Sequence, residues 1–181
     1  MTEIPGWTLF PTPIGGCAIA WREATVIGVQ LPERDDHATR ARMRRRWPGA
    51  CESAPPEAVR AVIGALTDLL EGKAADLSAL PLPFEQVPAF NRQVYEIARG
   101  IPAGQTLSYG EVAKRLGDVS LARAVGQALG QNPWPLIVPC HRVVGADGRP
   151  GGFSGGAGTP TKLRLLAIEG VLPGDQRSLF D

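Results

Sequence analysis

The stretch Ser108-Tyr-Gly-Glu-Val-Ala-Lys-Arg-Leu-Gly-Asp-Val-Ser-Leu-Ala-Arg-Ala-Val-Gly-Gln-Ala-Leu-Gly130 decides the fold of the second half of the chain. Its first residues match the Ser-x-x-Glu pattern of a capping box, which predicts a short helix through Leu116. Gly117–Ser120 predicts a turn, and apolar residues at helical spacing predict a second helix from about Leu121 to Gly130. Two short helices joined by a glycine-containing turn form a helix-turn-helix.

Two further helices are predicted on either side of this unit. Residues 89–99 repeat apolar side chains four apart, and Gly100 suits the end of a helix. Thr159-Pro160 matches an N-cap followed by a proline at the first helical position, and this helix should close at Glu169-Gly170. The second half is therefore expected to be mostly helical.

The first half instead begins with strand patterns. Apolar and β-branched residues lie in short segments separated by turn residues. The predicted strands are residues 7–12, 17–21 and 24–31. A single helix is predicted over residues 56–71, where apolar side chains follow the i, i+3, i+4, i+7 spacing. These patterns predict a small α/β domain, an antiparallel sheet plus a helix, and an α+β fold for the whole chain.

A proline-rich segment divides the two halves. Leu80-Pro-Leu-Pro-Phe-Glu-Gln-Val-Pro88 cannot continue a helix, so domains are predicted at residues 1–86 and 87–181. Residues 1–90 carry 9 basic and 11 acidic side chains, whereas residues 91–164 carry 9 basic and 4 acidic ones, a net charge of +5. The near-neutral total hides a basic second half, which favours a polyanionic partner there.

The overall composition excludes several classes of protein. The chain has 181 residues, of which 44% are hydrophobic and 20% charged, with a net charge of +1 and three cysteines. These values exclude a disordered chain, a disulfide-stapled miniprotein and a histone-like basic protein. The N-terminus lacks a signal-peptide pattern, and no apolar run is long enough to span a membrane. A cytoplasmic protein with reduced thiols is expected.

The strongest candidate for chemistry is Cys140, which is followed at once by His141 and Arg142. A thiol is a useful nucleophile only as the thiolate, and a neighbouring base or cation promotes that state. Adjacent side chains of extended backbone point to opposite faces, so a contact between the cysteine and the histidine requires a bend or a bridging water. The alternative is a core cysteine that lies beside a histidine by chance.

A glycine-rich segment follows this cysteine. Seven of the fourteen residues from 145 to 158 are glycine. Such a segment lets the backbone approach a flat ligand closely and offers unhindered N–H donors. The alternative interpretation is an ordinary surface loop.

Pro139-Cys-His-Arg-Val143 resembles the signature of the O6-alkylguanine-DNA alkyltransferase family. Further segments resemble the family in the same order along the chain. They are Leu107–Ala113, Ala122–Gly126, Asn132-Pro133, Phe153–Gly156 and Lys162–Gly170. The resemblance is strong over residues 87–170 and loose over residues 8–85, and several ordered motifs are far more specific than one pentapeptide.

The resemblance implies a ribonuclease-H-like N-terminal domain and a helix-turn-helix domain that binds double-stranded DNA through the minor groove and flips out O6-alkylguanine. Cys140 would take the alkyl group irreversibly, so that each molecule reacts once. His141 would act as the base through a water, and Glu169 would orient it. No metal and no cofactor are implied, because the cysteine is itself the acceptor.

The remaining site residues are also implied by the resemblance. Asn132 would hold the pocket backbone, Tyr109 would protonate the departing guanine, and Arg123 would fill the gap left by the flipped base. The pocket residues would be Val143, Phe153, Ser154, Gly155 and Lys162. The residues that contact DNA would be Tyr109, Ser120, Ala122, Arg123 and Gly126. Two details depart from the family: Phe153 stands where a tyrosine is common, and the loop 157–161 is longer.

Simpler interpretations stand beside these roles. Arg123 could be a solvated helical arginine, Tyr109 a core tyrosine, and Glu169 a member of a surface salt bridge. Each of these side chains would then serve stability alone.

Residues outside the resemblance are interpreted structurally. The run Arg40–Arg46 is interpreted as a solvated helix or loop face because acidic residues lie just before it. Cys17, Cys51 and His37 fit no zinc-ligand spacing, so no metal is predicted. The first two are interpreted as small buried hydrophobic residues.

Two other functions compete with alkyl transfer. A helix-turn-helix regulator or damage sensor would bind DNA and leave Cys140 unmodified. A thiol hydrolase would use Cys140 and His141 through many turnovers and would need no basic helix. No membrane contact and no obligate protein partner are predicted, and a monomer is expected.

Overall fold

The computed structural model describes residues 3–152, 155–156 and 158–172. The chain forms two compact units. The first unit comprises the residues up to Pro83 together with Pro133–Pro135, and the second comprises Phe84–Asn132 and the residues from Leu136 onward. The sequence analysis placed the boundary near 86 and gave no sign that three residues from the second half belong to the first unit.

The first unit is built on a four-stranded sheet in the order β3-β2-β1-β4. Its strands are β1 (Gly6–Thr12), β2 (Gly15–Arg22), β3 (Thr25–Gln30) and β4 (Cys51–Glu52). The first three pair antiparallel, which confirms the predicted strands. The two-residue β4 was not predicted; it pairs parallel to β1 and makes the sheet mixed.

Two helices accompany this sheet, α1 (Asp36–Arg46) and α2 (Glu57–Leu70). All five residues from Cys17 to Trp21 are buried. Because successive side chains of a strand point to opposite faces, this unbroken run means that both faces of the sheet are covered. Met43 of α1 packs on one face, against Trp7. The helix predicted over residues 56–71 is confirmed as α2.

The second unit carries four α-helices within its described residues. They are α3 (Ala89–Arg99), α4 (Tyr109–Arg115), α5 (Ala122–Gly130) and α6 (Thr159–Ile168). The capping box is present: the Glu111 backbone N–H donates to Ser108 Oγ at 3.0 Å, and the Ser108 N–H donates to Glu111 Oε2 at 2.6 Å. In the ranges that the structure describes, no helix is both long and apolar enough to cross a bilayer.

One predicted cap is wrong by one residue. The N-cap of α6 is Gly158 rather than Thr159, which is already helical. Gly158 has φ +79°, a left-handed conformation that glycine adopts without the steric cost of a Cβ. The chain therefore turns into the helix at the glycine.

A short parallel strand pair positions the rest of the second unit. β5 (Leu107–Ser108) pairs with β6 (Val143–Val144), so that Leu107 lies opposite Val143. The first strand leads directly into α4, and the second follows a 3-10 turn formed by Cys140–Arg142. The pairing therefore brings the start of α4 beside the residue that follows the Cys-His-Arg turn. Neither strand was predicted, since two residues carry no periodicity.

The interpretation of Cys17 and Cys51 as buried residues is half wrong. Cys17 is fully buried in β2, whereas Cys51 is exposed because both residues of the short β4 face solvent. In the part of the chain that the structure describes, no three His, Cys, Asp or Glu side chains are grouped so that they could hold a metal ion.

Candidate active site

Cys140 opens the 3-10 turn and is buried, with 7% of its surface exposed. Its backbone N–H donates to the Val138 carbonyl at 2.7 Å. The Asn132 side chain donates to the same carbonyl at 2.9 Å. The backbone at Cys140 and His141 is therefore bent into a turn held from both sides, and the extended geometry considered in the sequence analysis does not occur.

Two opposing influences act on the Cys140 thiol. Burial raises its pKa, because the thiolate loses hydration. A hydrogen bond with Asn132, the positive charge of Lys162 and the backbone N–H groups of Cys140 and His141 act in the opposite direction. Burial has the largest effect, so the pKa of the thiol is raised on balance and the free thiol is protonated at neutral pH; the surrounding groups reduce the cost of forming the thiolate once a base removes the proton.

His141 lies in the interior and is 1% exposed. Its Nε2 is 2.9 Å from Glu169 Oε1. Burial lowers the pKa of the imidazole, and Glu169 opposes this shift by a hydrogen bond and by its charge. The other ring nitrogen, Nδ1, is buried and has no hydrogen-bond partner among the residues described here. This nitrogen is therefore available to accept or donate a proton.

The Glu169 carboxylate forms hydrogen bonds with two side chains at once, those of His141 and Arg142. Its side chain is 4% exposed, which excludes the surface salt bridge considered for it. Besides His141, it accepts from Arg142 Nη2 at 2.7 Å and Arg142 Nε at 3.0 Å. Burial would raise the pKa of this carboxyl, but the hydrogen bonds and charges of His141 and Arg142 outweigh it and lower the pKa to about 2.

Arg142 is the site residue that the sequence analysis missed. It is buried, and its Nη1 donates to the Ile101 carbonyl at 2.6 Å while the rest of the guanidinium holds Glu169. The planar fork of an arginine suits such a bidentate contact with a carboxylate. The available signal was its position beside His141, in a motif from which only the cysteine and the histidine were given roles.

Lys162 forms a second polar group with Tyr109 and Val143. Its Nζ donates to the Val143 carbonyl at 2.7 Å and to the Tyr109 hydroxyl at 3.2 Å. Burial lowers the pKa of Lys162 to about 8, and the Cys140 thiolate opposes that shift. Burial and the charge of Cys140 raise the pKa of Tyr109, so its hydroxyl keeps its proton at neutral pH.

A small pocket opens on the sulfur. Its lining residues are Tyr109, Gly126, Leu129, Gly130, Cys140, Gly152 and Lys162. Gly151 lies beside Tyr109, and a Cβ at this glycine would come within 2.8 Å of the tyrosine hydroxyl. The glycine-rich segment therefore approaches the tyrosine as only a residue without a side chain can. Leu129 and Gly130 were not predicted as lining residues.

The candidate DNA-contacting residues lie mostly on α5 and just before it. Arg123 and Ser120 are exposed, and Ala122 and Gly126 are half-buried. The Ser120 backbone N–H donates to Asp118 Oδ1 at 2.9 Å, so this residue is capped within the turn. Gly126 and Tyr109, which were predicted to contact DNA, also line the pocket. Arg123 and Ser120 do not line it.

Four positions of the glycine-rich segment remain from the sequence analysis. Phe153 and Ser154, predicted as pocket residues, lie outside the described residues, as does Ala157 of the 157–161 loop. Gly155 is half-buried and accepts from the Gly158 backbone N–H at 3.0 Å.

Comparison with known proteins identifies consistent relatives. Residues 89–171 match the model of the 6-O-methylguanine DNA methyltransferase, DNA binding domain. The chain is 34% identical to the methylated-DNA–protein-cysteine methyltransferase of Mycolicibacterium paratuberculosis over 94% of this chain and 95% of that protein. It is 38% identical to a DNA base-flipping protein of Thermus thermophilus over 90% of this chain and 98% of that protein.

A solved structure agrees with these relatives. The crystal structure of Mycobacterium tuberculosis OGT in complex with DNA matches with a TM-score of 0.72 at 30% identity, over 91% of this chain and 92% of that one. Several other curated relatives match over only 61% to 66% of their own length.

Proposed function

The chain belongs to the methylated-DNA–protein-cysteine methyltransferase family, and from this premise we propose that it repairs O6-alkylguanine in double-stranded DNA by moving the alkyl group to Cys140. The observation that carries the proposal is the surroundings of this thiol. A buried sulfur opens on a pocket, and a cation and several hydrogen-bond donors favour its thiolate. Such surroundings are typical of a nucleophilic cysteine.

The transfer is a single displacement. The Cys140 thiolate attacks the alkyl carbon, a sulfur–carbon bond forms, and the bond from that carbon to O6 breaks. The electron pair leaves with the guanine, and the alkyl group stays on the sulfur as a thioether. Because nothing regenerates the thiol, each molecule acts once.

His141 takes the proton from Cys140 through a bridging water at Nδ1. Its Nε2 is held by Glu169 at 2.9 Å, which fixes the orientation of the ring and stabilises its protonated form. Arg142 holds the same carboxylate and so keeps Glu169 ionised. Asn132 maintains the bend that presents the sulfur.

Tyr109 supplies the proton that the departing guanine needs. Its hydroxyl accepts from Lys162 at 3.2 Å, and because burial raises its pKa it keeps its proton at neutral pH until the guanine leaves. Lys162 also holds the Val143 carbonyl, and this carbonyl together with the Ser154 region reads the guanine edge. Phe153 offers a stacking face without a hydroxyl.

DNA is the partner, and the target base is flipped before it reacts. The helix-turn-helix of α4 and α5 binds the duplex, and Arg123 fills the gap that the base leaves. The DNA complex of the M. tuberculosis protein and the base-flipping relative support DNA binding and base flipping. Arg123→Ala is expected to slow reaction with duplex more than reaction with free O6-benzylguanine, and Arg92→Ala, an exposed arginine on α3 outside the helix-turn-helix, is the control. Equal losses on both substrates would reject the role of Arg123.

Mass spectrometry tests the proposal directly. After incubation with duplex DNA containing O6-methylguanine, the peptide that holds Cys140 should gain the mass of one CH2 group, in a stoichiometric amount. The Cys17 and Cys51 peptides should be unchanged. No gain, or a gain elsewhere, would refute the assignment.

The same experiment separates the competing functions. The base-flipping relative makes binding without transfer the second candidate, and that function predicts tight binding with an unmodified Cys140. A thiol hydrolase would turn over an ester or amide repeatedly. We further propose that residues 1–86 form the ribonuclease-H-like structural domain, that residues 87–181 form the DNA-binding and transfer domain, and that the protein acts as a cytoplasmic monomer.

A further inference from the structure

Three residues shortly before Cys140 belong to the first unit, although both of their chain neighbours belong to the second. This anchor segment, Pro133–Pro135, is fixed on β3. The Val29 backbone N–H donates to the Pro133 carbonyl at 2.9 Å, and the Trp134 indole N–H donates to the Val26 carbonyl at 3.1 Å. Trp134 itself is buried.

Arg46, the last residue of α1, joins this anchor segment to the sheet. Its Nη1 donates to the Val29 carbonyl at 2.9 Å and to Gln30 Oε1 at 3.0 Å, and its Nη2 reaches the Pro133 carbonyl at 3.4 Å. The guanidinium stacks on the Trp47 ring at 4.1 Å from its centre. Burial, with a smaller effect of Arg42, lowers its pKa to about 10, so it remains charged at neutral pH.

Arg46 therefore differs from its neighbours in the basic run. Arg42, Arg44 and Arg45 are exposed, as the sequence analysis expected for a solvated face. Half-burying Arg46 costs hydration, which its three acceptors and the aromatic ring offset. Gly28 leaves room for the aromatic ring on which Arg46 stacks: a Cβ at this glycine would collide with the Trp47 ring and come within 3.3 Å of the Pro133 carbonyl.

The chain leaves the anchor segment through a strained residue. Leu136 is buried and has φ +74°, in the left-handed region that a leucine rarely adopts. Such backbone strain persists only where the surrounding contacts over-determine the conformation. The anchor segment holds one end of this turn, and the bend at Val138, which binds both Asn132 and the Cys140 N–H, holds the other.

We infer that Arg46 is a positioning residue for alkyl transfer: by fixing the Pro133 carbonyl it keeps the strained turn at Leu136 formed and thereby the Cys140 sulfur in place. The inference rests on the proposed function and assigns a role in the reaction to a residue of the first unit. Arg46 touches neither the sulfur nor the pocket. Its effect passes along the chain from Pro133 to Cys140.

The test uses the full-length protein and free O6-benzylguanine, which requires no DNA binding. Arg46→Met should lower the second-order rate of benzyl transfer about tenfold or more, since a small displacement of a reacting group is costly. Arg46→Lys, which keeps the charge but not the fork, should restore part of that loss. Arg44→Met is the matched control on the same helix and should react at the wild-type rate.

Hydrogen exchange separates positioning from general destabilisation. In Arg46→Met, amide exchange should increase in the peptide covering residues 136–144 and stay at the wild-type level in α3 and α4. Trp134→Phe removes the other anchoring hydrogen bond and should give the same pattern. This variant and Arg46→Lys carry the test if Arg46→Met does not fold.

Three outcomes would overturn the inference. One is a folded Arg46 variant that transfers the benzyl group at the wild-type rate. Another is an equal loss in Arg44→Met, which would indicate an effect of helix charge. The third is increased exchange throughout the second unit. If the wild-type protein itself transfers no alkyl group, the proposed function fails, and hydrogen exchange still tests whether the bond from Arg46 to the Pro133 carbonyl keeps residues 136–144 protected.

Discussion

Cys17 and Cys140 are both buried cysteines, yet their surroundings differ in kind. Cys17 lies in β2, fully buried, and its sulfur is 3.7 Å from Thr12 Oγ1, with which it forms a weak hydrogen bond. Burial raises its pKa to about 12, opposed only by that weak hydrogen bond. Cys140 is also raised by burial, but a lysine, an asparagine and two backbone N–H groups oppose the shift.

Because these two buried cysteines have different polar neighbours, burial alone does not determine whether a cysteine is unreactive. A buried thiol without a cation behaves as a small apolar side chain. A buried thiol beside a cation and oriented donors keeps access to its thiolate, and the dry surroundings strengthen each of those interactions. The comparison therefore rests on the residues around the two sulfurs, which can be changed one at a time.

The largest effect is expected from exchanging the sulfur itself. Cys140→Ser should abolish alkyl transfer, because a serine hydroxyl stays protonated where a thiol can ionise. Cys17→Ser should transfer one alkyl group per molecule, as the wild type does. Counting alkyl groups per protein by mass spectrometry measures both. If transfer persisted in Cys140→Ser, Cys140 would not be the acceptor. If it were lost in a folded Cys17→Ser variant, Cys17 would not be inert.

The next largest effect is expected from Glu169→Gln. The amide cannot stabilise a protonated His141, so the rate of alkyl transfer should fall about a hundredfold or more, the range of general-base effects. Binding of unmodified DNA, measured by fluorescence anisotropy, should be unchanged. A rate within twofold of the wild type would remove His141 and Glu169 from the mechanism.

Glu169 also predicts how stability depends on pH. Its pKa falls from an ordinary 4.5 to about 2 on folding, so its contribution to stability is present above about pH 4.5 and is lost as the pH falls from there through 2. The shift corresponds to about 3 kcal/mol. Urea unfolding between pH 2 and 7 should show this loss in the wild type and not in Glu169→Gln. The prediction would be wrong if the free energy of unfolding depended on pH in the same way in the wild type and in Glu169→Gln.

A smaller effect is expected from Lys162→Met. Without the cation the pKa of the Cys140 thiol should rise further, so the transfer rate near pH 7 should fall about tenfold. The rate should recover as the pH increases toward 10, because more of the thiol then ionises. The pH profile of benzyl transfer from free O6-benzylguanine measures this. A uniform loss at every pH would mean that Lys162 shapes the pocket and leaves the ionisation of the thiol unchanged.

The smallest effect is expected from Cys17→Ala. Removing one sulfur atom from a packed sheet should lower the free energy of unfolding by about 1–2 kcal/mol and leave the rate of transfer unchanged. Thermal and urea unfolding measure the first, and the alkyl count measures the second. A changed rate would show that Cys17 is coupled to the site.

Signals confined to a few neighbouring residues predicted much of the fold. The capping box of Ser108 and Glu111, the apolar spacing of α2 and the strand-type residues of β1 act locally, so the sequence alone exposes them. Pro139-Cys-His-Arg-Val143 likewise indicated Cys140 as the candidate nucleophile, because the motif lies in one continuous segment.

Features that depend on distant contacts escaped prediction. The pair of β5 and β6 exists only because two distant dipeptides meet. Leu136 adopts φ +74° against the preference of a leucine, under the constraint of the segments on either side. The buried role of Arg142 depends on a contact with Glu169, which is 27 residues away in the sequence, and no local pattern indicates that contact. Cys51 is exposed because its strand has only two residues.

The anchor segment has a consequence for the modularity of the chain. Cutting between Pro83 and Phe84 would separate two pieces, neither of which is a complete unit. The N-terminal piece would keep β3 and Arg46 without the carbonyl they bind, and the C-terminal piece would carry Pro133–Pro135 without a strand to receive them. We therefore expect a chimera to keep its activity only when Pro133–Pro135 come from the same parent as β3 and Arg46, which bind this segment.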